Sequence, residues 1–242
     1  MFKKVKKNIA FFLANILPRA VYEQYKINFD VKNDFSQTYF SQEGEDIILR
    51  RFFNYKNNGF YIDIGAYHPQ RFSNTYKLYT LGWRGINIDA TPKSMSAFKN
   101  LRKEDINIQA AIAEHSKTIK FFEFDEGALN TFDELKAKKI IDRGLYKLIN
   151  TQILKTQTLE EILDKNLVLG QIIDFFSIDV EGFDLQVLKS NNWEKYKPTV
   201  VIIETDTLEL ALFFNSPEAV FLKELGYKCF AKTVKSAFFT NI

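Results

Sequence analysis

Apolar positions along this chain repeat in two ways. Short, nearly continuous apolar runs recur in "GFYIDIGA", "RGINIDATP", "INIQAAIA", "QIIDFFSIDVEG" and "TVVIIETD". Runs of this length, rich in Ile, Val and Phe, predict strands buried on both faces. Between them lie stretches with apolar residues at helical spacing. Residues 42–54 predict a helix with Ser41 as its cap and Glu43 and Glu45 in its first turn. "SNTYKLYTLGW" predicts a second, capped by Ser73 or Asn74 and ending at Gly82. "PKSMSAFKNLRK" predicts a third with Pro92 in its first turn. Strand and helix then alternate, the pattern of a parallel sheet with crossover helices.

The second half continues it with interruptions. "KTIKFFEFD" predicts a strand, and residues 127–148 predict an excursion from the core holding a helix near "DELKAKKIIDRG". This excursion is expected near the substrate. "QILKTQTLEEILDKN" predicts a strand and a short helix capped by Thr158. "DLQVLKSNNWEKYKP" and "SPEAVFLKELG" predict two more helices, and "YKCFAKTVKSAFFTNI" predicts two strands joined by a tight turn.

Composition narrows the class. With 46% hydrophobic and 26% charged residues the chain reads as globular. Its 242 residues suffice for one large core. The single cysteine, Cys229, rules out an internal disulfide and a cysteine-rich zinc cluster, and points to a reducing, cytoplasmic setting. No apolar run approaches the ~18–20 residues that span a bilayer. The net charge of +3 is uneven: Lys3, Lys4, Lys6, Lys7 and Arg19 put +5 into residues 1–20, leaving −2 for the rest. Nucleic acid is therefore not the expected partner. We read residues 1–35 as a basic N-terminal helix or extension and 36–242 as the main domain. The favoured reading of residues 1–20 is a helix packed on that domain. Peripheral contact with the inner face of a membrane is the second reading, and a signal peptide the third.

Several strands end on acids: Asp63, Asp89 and Asp179, with Glu181 and Glu204 beside them. In an open parallel sheet the ligand crevice lies beyond the carboxyl ends of the strands, so these acids are expected to converge there, solvated or touching ligand. Asp89, ending the second strand, can accept hydrogen bonds from both ribose hydroxyls of a nucleoside. Gly65 would let such a ligand approach the backbone. The loop Gly65-Ala66-Tyr67-His68-Pro69 lacks the glycine fingerprint of a pyrophosphate cradle, and the Walker lysine motif is absent. A nucleoside without a diphosphate, such as S-adenosylmethionine, fits.

Three blocks in order, "SQEGEDIIL", "GFYIDIGAYHPQRFSNTYKLYTLGWRGINIDATP" and "FFSIDVEGFDLQVLKS", resemble the FkbM-type methyltransferases over residues 38–206. The resemblance implies a class I S-adenosylmethionine-dependent enzyme. Its fold would be α/β: a Rossmann-like, doubly wound, mostly parallel seven-stranded sheet with helices on both faces and a C-terminal antiparallel strand. It also implies transfer of a methyl group to a hydroxyl, on a sugar of a polysaccharide, glycolipid or related precursor. The alternatives from the residues alone are a nicotinamide-dependent oxidoreductase and a non-catalytic binding domain.

Matched to the family, Asp63, Gly65 and Ala66 form the first cofactor motif, Asp89 and Ala90 the ribose site, and Gln109 and Ala110 the adenine site. Asp179 and Glu181 match the motif at the reaction centre. Tyr67 stands where the broader class has a second glycine. Gln42, with Glu43 and Asp46, is expected to help close over cofactor or substrate. Ser73 and Asn74 either cap a helix or aim N–H groups at the cofactor carboxylate. A sugar hydroxyl needs a base, and the candidates are Asp179, Glu181 and His68. Asp179 and Glu204 are a candidate pair for a divalent cation such as Mg²⁺. Trp83 and Trp193 are expected in the core and His115 in a surface loop. The acceptor's identity and the oligomeric state are not encoded in these patterns.

Overall fold

A computed structural model describes residues 18, 19, 21, 23, 24, 37–168 and 170–242. The expectations for residues 1–17 lie outside the described residues. The chain divides into two units, Met1–Thr38 and Tyr39–Ile242, and the second holds the fold that follows. Among the described residues no helix is long and apolar enough to cross a membrane.

The main sheet has seven strands: β1 (Phe60–Ile64), β2 (Arg84–Asp89), β3 (Ile106–Gln109), β7 (Phe175–Ile178), β8 (Val200–Glu204), β9 (Lys228–Lys232) and β10 (Ser236–Thr240). Their order is β3-β2-β1-β7-β8-β10-β9. The first five are parallel, and β10 runs antiparallel to both neighbours. Order reverses between β1 and β7, which pair Asp63 with Ser177 and Ile64 with Ile178. That reversal opens a crevice at their carboxyl ends.

Burial on both faces explains the unbroken apolar runs. Ile62, Ile64, Phe176, Ile178, Val201 and Ile203 pack on one side with Leu159, Ile162 and Leu163 of α5 (Leu159–Asn166). Leu222 of α8 (Pro217–Glu224) joins that cluster. Tyr61, Phe175, Val200 and Ile202 pack on the other with Leu49 of α1 (Glu45–Phe52) and Leu78 of α2 (Tyr76–Thr80). The remaining helices are α3 (Met95–Leu101), α4 (Glu134–Arg143), α6 (Asp184–Lys189) and α7 (Leu210–Phe213). Trp83 is fully buried, and half-buried Trp193 packs against the larger cluster, as expected for core residues. His115 is exposed.

Together with the strands on either side of it, the excursion builds a second sheet within the same unit. β4 (Ala111–Ile112), β6 (Leu148–Gln157) and β5 (Thr118–Phe124) make a second sheet in the order β4-β6-β5. Helix α4 covers it, burying Ala137 and Ile140 on Phe122 and Phe124. Asp133 caps α4 by accepting from the N–H groups of Leu135 and Lys136. Thr158 and Glu161 form a reciprocal capping box on α5.

The structure corrects three expectations. "INIQAAIA" is not one strand: β3 stops at Gln109, and Ala111–Ile112 leave to pair with β6. β6 begins at Leu148, because its first half pairs with β5 although it carries few buried residues. The helix expected over 42–54 spans only Glu45–Phe52. Asp46 folds back to accept from Phe40 N–H and Ser41 Oγ, and Ser41 Oγ accepts in turn from the first-turn Asp46 N–H at 3.4 Å, so Ser41 serves the helix end from outside the N-cap position, which Gly44 holds. α7 carries mostly exposed side chains and gave no amphipathic signal.

Candidate active site

Beyond the carboxyl ends of β1, β2 and β7 lies a cleft of about 910 Å³, open to solvent. Of the sequence-predicted residues, Gln42, Asp63, Gly65, Ala66, Asn74, Asp89, Ala90, Ala110, Asp179 and Glu181 line it. The excursion supplies a wall through Phe121, Gly127, Ala128, Asn130 and Phe132.

Asp63 lies inside β1 and is buried, where Thr75 Oγ1 donates to its Oδ2 at 2.7 Å. It is held by the protein rather than solvated, and burial pushes its carboxyl above the ordinary range. Asp89 ends β2. Its Oδ2 accepts from Tyr67 N–H at 3.1 Å and its Oδ1 from Thr91 N–H at 2.7 Å. Burial raises its pKa against these bonds. Each of its oxygens keeps a second lone pair, so the carboxylate remains able to take two hydroxyls.

Gly65 has φ +81°, and a Cβ there would meet the carbonyl oxygen of Asp179 at 1.7 Å. The missing side chain thus lets the loop after β1 lie against the loop after β7, a use not foreseen in the sequence. Gly65→Ala is expected to lower stability by roughly 2–4 kcal/mol, from left-handed strain and overpacking together. Urea denaturation measures the loss. A change below about 0.5 kcal/mol, the size of an ordinary surface substitution, would mean the two loops are free to part.

Tyr67 resolves the missing glycine. It adopts the left-handed backbone itself, at φ +38°. Its hydroxyl donates to Glu126 at 2.8 Å and accepts from Arg71, and Arg71 pairs with Glu126 at 2.9 Å. The strained turn is therefore pinned to the excursion.

Other candidates fall elsewhere. His68 does not line the cleft. Its Nδ1 accepts from the N–H groups of Gln70 and Arg71, at 3.1 and 2.9 Å, so it braces the loop. Burial and then the Arg71 charge lower its pKa, which suits a neutral acceptor. Gln109 also lies outside the lining and accepts from Lys93 N–H at 3.0 Å. Glu43 accepts from Lys235 N–H near the β9–β10 turn, and Asp46 from Phe40 and Ser41. Of that trio only Gln42 lines the cleft. Ser73 accepts from Tyr76 N–H at 3.0 Å in the manner of a cap, and the Asn74 amide donates to Ser177 Oγ at 3.1 Å.

Asp179, Glu181 and Glu204 each place one carboxylate oxygen within 4.8 Å of the others. Lys136, from α4, sits among them, 2.5 Å from Glu181 and 3.4 Å from Glu204. An ammonium thus already stands where a cation was a candidate. One lysine does not balance this much buried charge. Burial, then Glu204 and Glu181, pushes Asp179 well above the usual range. Burial, then Glu204, raises Glu181 to about 7, and Lys136 opposes this. Nearby Asp184 is raised too, and its Oδ1 has no hydrogen-bond partner. Glu181 itself has φ +54°, with Thr131 Oγ1 donating to its carbonyl at 2.7 Å. Sequence reading missed Lys136 and Tyr67–Glu126 because their partners are dozens of residues away and no local spacing reports them.

This set suits S-adenosylmethionine. Asp89 offers acceptors for ribose, Ala90, Ala110, Ile112 and Phe121 an apolar wall for a base, and the carboxyl cluster a cation-favouring end.

The Methyltransferase FkbM domain model matches residues 63–229, well over half of the chain. No curated protein sequence matches it. Solved structures with a similar chain path include methyltransferase FkbM from Methylobacillus flagellatus KT, 14% identical with a TM-score of 0.45. That match covers 76% of this chain but only 44% of that one, so the chain spans less than half of that protein's length. An O-methyltransferase from Bacillus cereus in complex with SAH is 11% identical with a TM-score of 0.43, covering 96% and 97%. Precorrin-6y C5,15-methyltransferase from Geobacter metallireducens GS-15 is 10% identical with a TM-score of 0.43, covering 81% and 85%. The family match sets aside the oxidoreductase and binding-domain alternatives, and the chain belongs to the FkbM family of S-adenosylmethionine-dependent methyltransferases.

Proposed function

We propose that this enzyme methylates a hydroxyl on a sugar of a polysaccharide, glycolipid or related precursor, in the cytoplasm. The observation that supports it best is the pair Asp179 and Glu181 at the cleft wall, next to the loop that carries Gly65. When bound, S-adenosylmethionine supplies an electrophilic methyl group on a sulfonium. A hydroxyl is a weak nucleophile and gains from a base that removes its proton during attack. Glu181, raised to about 7, is poised near neutral pH for that task. Asp179 borders the same space and either shares the proton or orients the hydroxyl. Lys136 holds the Glu181 carboxylate in place. Asn130 and Phe132 line the same cleft and offer a polar and an apolar contact for a sugar.

The sign of the pH effect follows. Below about 7 Glu181 is protonated and cannot accept a proton; above it the base is ready. Single-turnover rates should therefore rise with pH up to about 7 and then level. The acceptor class is tested with methyl-labelled S-adenosylmethionine and a panel of free, nucleotide-linked and lipid-linked sugars, with amines and carboxylates as controls. Label recovered in alkali-stable ethers of sugars agrees with the proposal. Label carried by amines or by esters alone would overturn it.

A further inference from the structure

The excursion has an outer face that the cleft does not use. Every residue from Ile141 to Thr151 is exposed, across the end of α4 and the start of β6. Large apolar side chains dominate it: Leu145 is 77% exposed, Ile149 64% and Ile153 71%, with Tyr146 between them. Large apolar side chains left exposed together along one stretch of chain point to a contact surface. Ile149, Thr151, Ile153 and Lys155 alternate onto one side of β6, and Ile153 lies opposite Lys120 of β5.

Charge identifies the partner. Residues 138–155 hold Lys138, Lys139, Arg143, Lys147 and Lys155 against the single acid Asp142, a net +4. Nearby acids thin this charge to +2 once Lys120, Glu123, Asp125 and Glu134 are counted with it: Glu134 pairs with Lys120 at 3.7 Å, while Glu123 and Asp125 accept only from the neutral N–H groups of Asn150, Gln152 and Lys147. We propose that this face docks on an anionic lipid surface, the aliphatic side chains entering the headgroup boundary and the basic residues meeting lipid phosphates. Exposed aliphatics inside a basic rim are the composition of an interfacial membrane contact, and Tyr146 suits the interface. A symmetric contact with a second copy would press this basic rim against itself. Nucleic acid would want stacking platforms, and leucine and isoleucine are not planar. The stretch is far from residues 1–20 in sequence and does not depend on the nature of the acceptor.

Vesicle flotation of the full chain tests it, with phosphatidylcholine alone and with phosphatidylcholine and phosphatidylglycerol in a three-to-one ratio. Binding is expected to the anionic vesicles only, and to weaken as salt shortens the screening length. Leu145→Ser with Ile149→Ser should lower the partition coefficient on the order of tenfold. Both side chains are exposed, so melting and S-adenosylhomocysteine binding should be unchanged. Replacing Lys3, Lys4, Lys6 and Lys7 together by Ala should leave vesicle binding in place. The proposal fails if the wild type ignores anionic vesicles, or if the double variant binds them as well as wild type does. It also fails if light scattering shows a wild-type dimer that the double variant loses, since the face would then serve a second copy.

Discussion

Arg102→Met is expected to remove about 3–5 kcal/mol of stability, the range for breaking a buried ion pair from one side. Arg102 is fully buried at the end of α3. Its Nε donates to Asp105 at 2.9 Å, its Nη1 to the Pro69 carbonyl at 3.1 Å and its Nη2 to Thr75 Oγ1 at 3.1 Å and to the Tyr61 hydroxyl. Asp105 in turn accepts from Gly85 N–H and the Asn87 amide. Methionine fills much of the volume but leaves the Asp105 carboxylate without its cation. Typical domains have about 5–15 kcal/mol in total, so the variant should be marginal or unfolded. Chemical denaturation measures this, and Arg102→Met with Asp105→Leu should recover a large part by removing both charges. A loss under about 1 kcal/mol for the single variant would show water or a neighbour taking over the pairing.

The consequence reaches the active site. Thr75, which accepts from Arg102, donates to Asp63. Pro69, whose carbonyl Arg102 holds, closes the loop that starts at Gly65. The cleft is therefore built on an ionic network under α2 and α3, not on the apolar core alone. Nothing in the sequence marks this network. "NLRKEDIN" has the look of a solvated helix end, and the partners Tyr61, Thr75 and Asn87 belong to other elements.

Other parts were legible because their signals are local. A parallel strand buried on both faces must be apolar along its length, so an acid at or just past its end stands out. That logic located Asp89 and Asp179, and topology then brought them to one crevice. Asp63 shows its limit: it looks like a strand-end ligand but is largely satisfied by Thr75 inside the sheet. Gly65 was identified by type, yet the group that crowds it is a carbonyl on another strand. The excursion was recognised by its polarity and β5 and the end of β6 were read as strands, but the start of β6 was not, since its first residues are all exposed and lack strand alternation. Lys136 looked like any helix lysine, although it reaches two carboxylates on distant loops.

Asp89→Ala and Asp179→Asn should separate binding from turnover. Asp89→Ala removes acceptors for two hydroxyls, each such charged bond being worth ~1.5–3 kcal/mol, so S-adenosylhomocysteine affinity should fall at least ~10-fold. It also frees the N–H groups of Tyr67 and Thr91, which loosens the loop in the same direction. Asp179→Asn should keep that affinity within a few fold and slow methyl transfer by about 10²–10⁴, the range for a group that handles a proton in the transition state. Calorimetry with S-adenosylhomocysteine and single-turnover transfer from S-adenosylmethionine read the two effects. Equal affinity of Asp89→Ala and wild type would contradict the ribose role. Stability should move the other way for Asp179→Asn. The wild-type carboxyl is raised well above 3.8, by burial and then by Glu204 and Glu181. A raised acid stabilises the fold fully below its unfolded value, and that stability is lost as pH rises through the folded value. Asparagine carries no such penalty. The variant should therefore melt above wild type at alkaline pH, with the gap closing as pH falls toward about 4. A variant that is both inactive and more stable at alkaline pH is the signature of charge held in place for chemistry against the preference of the fold.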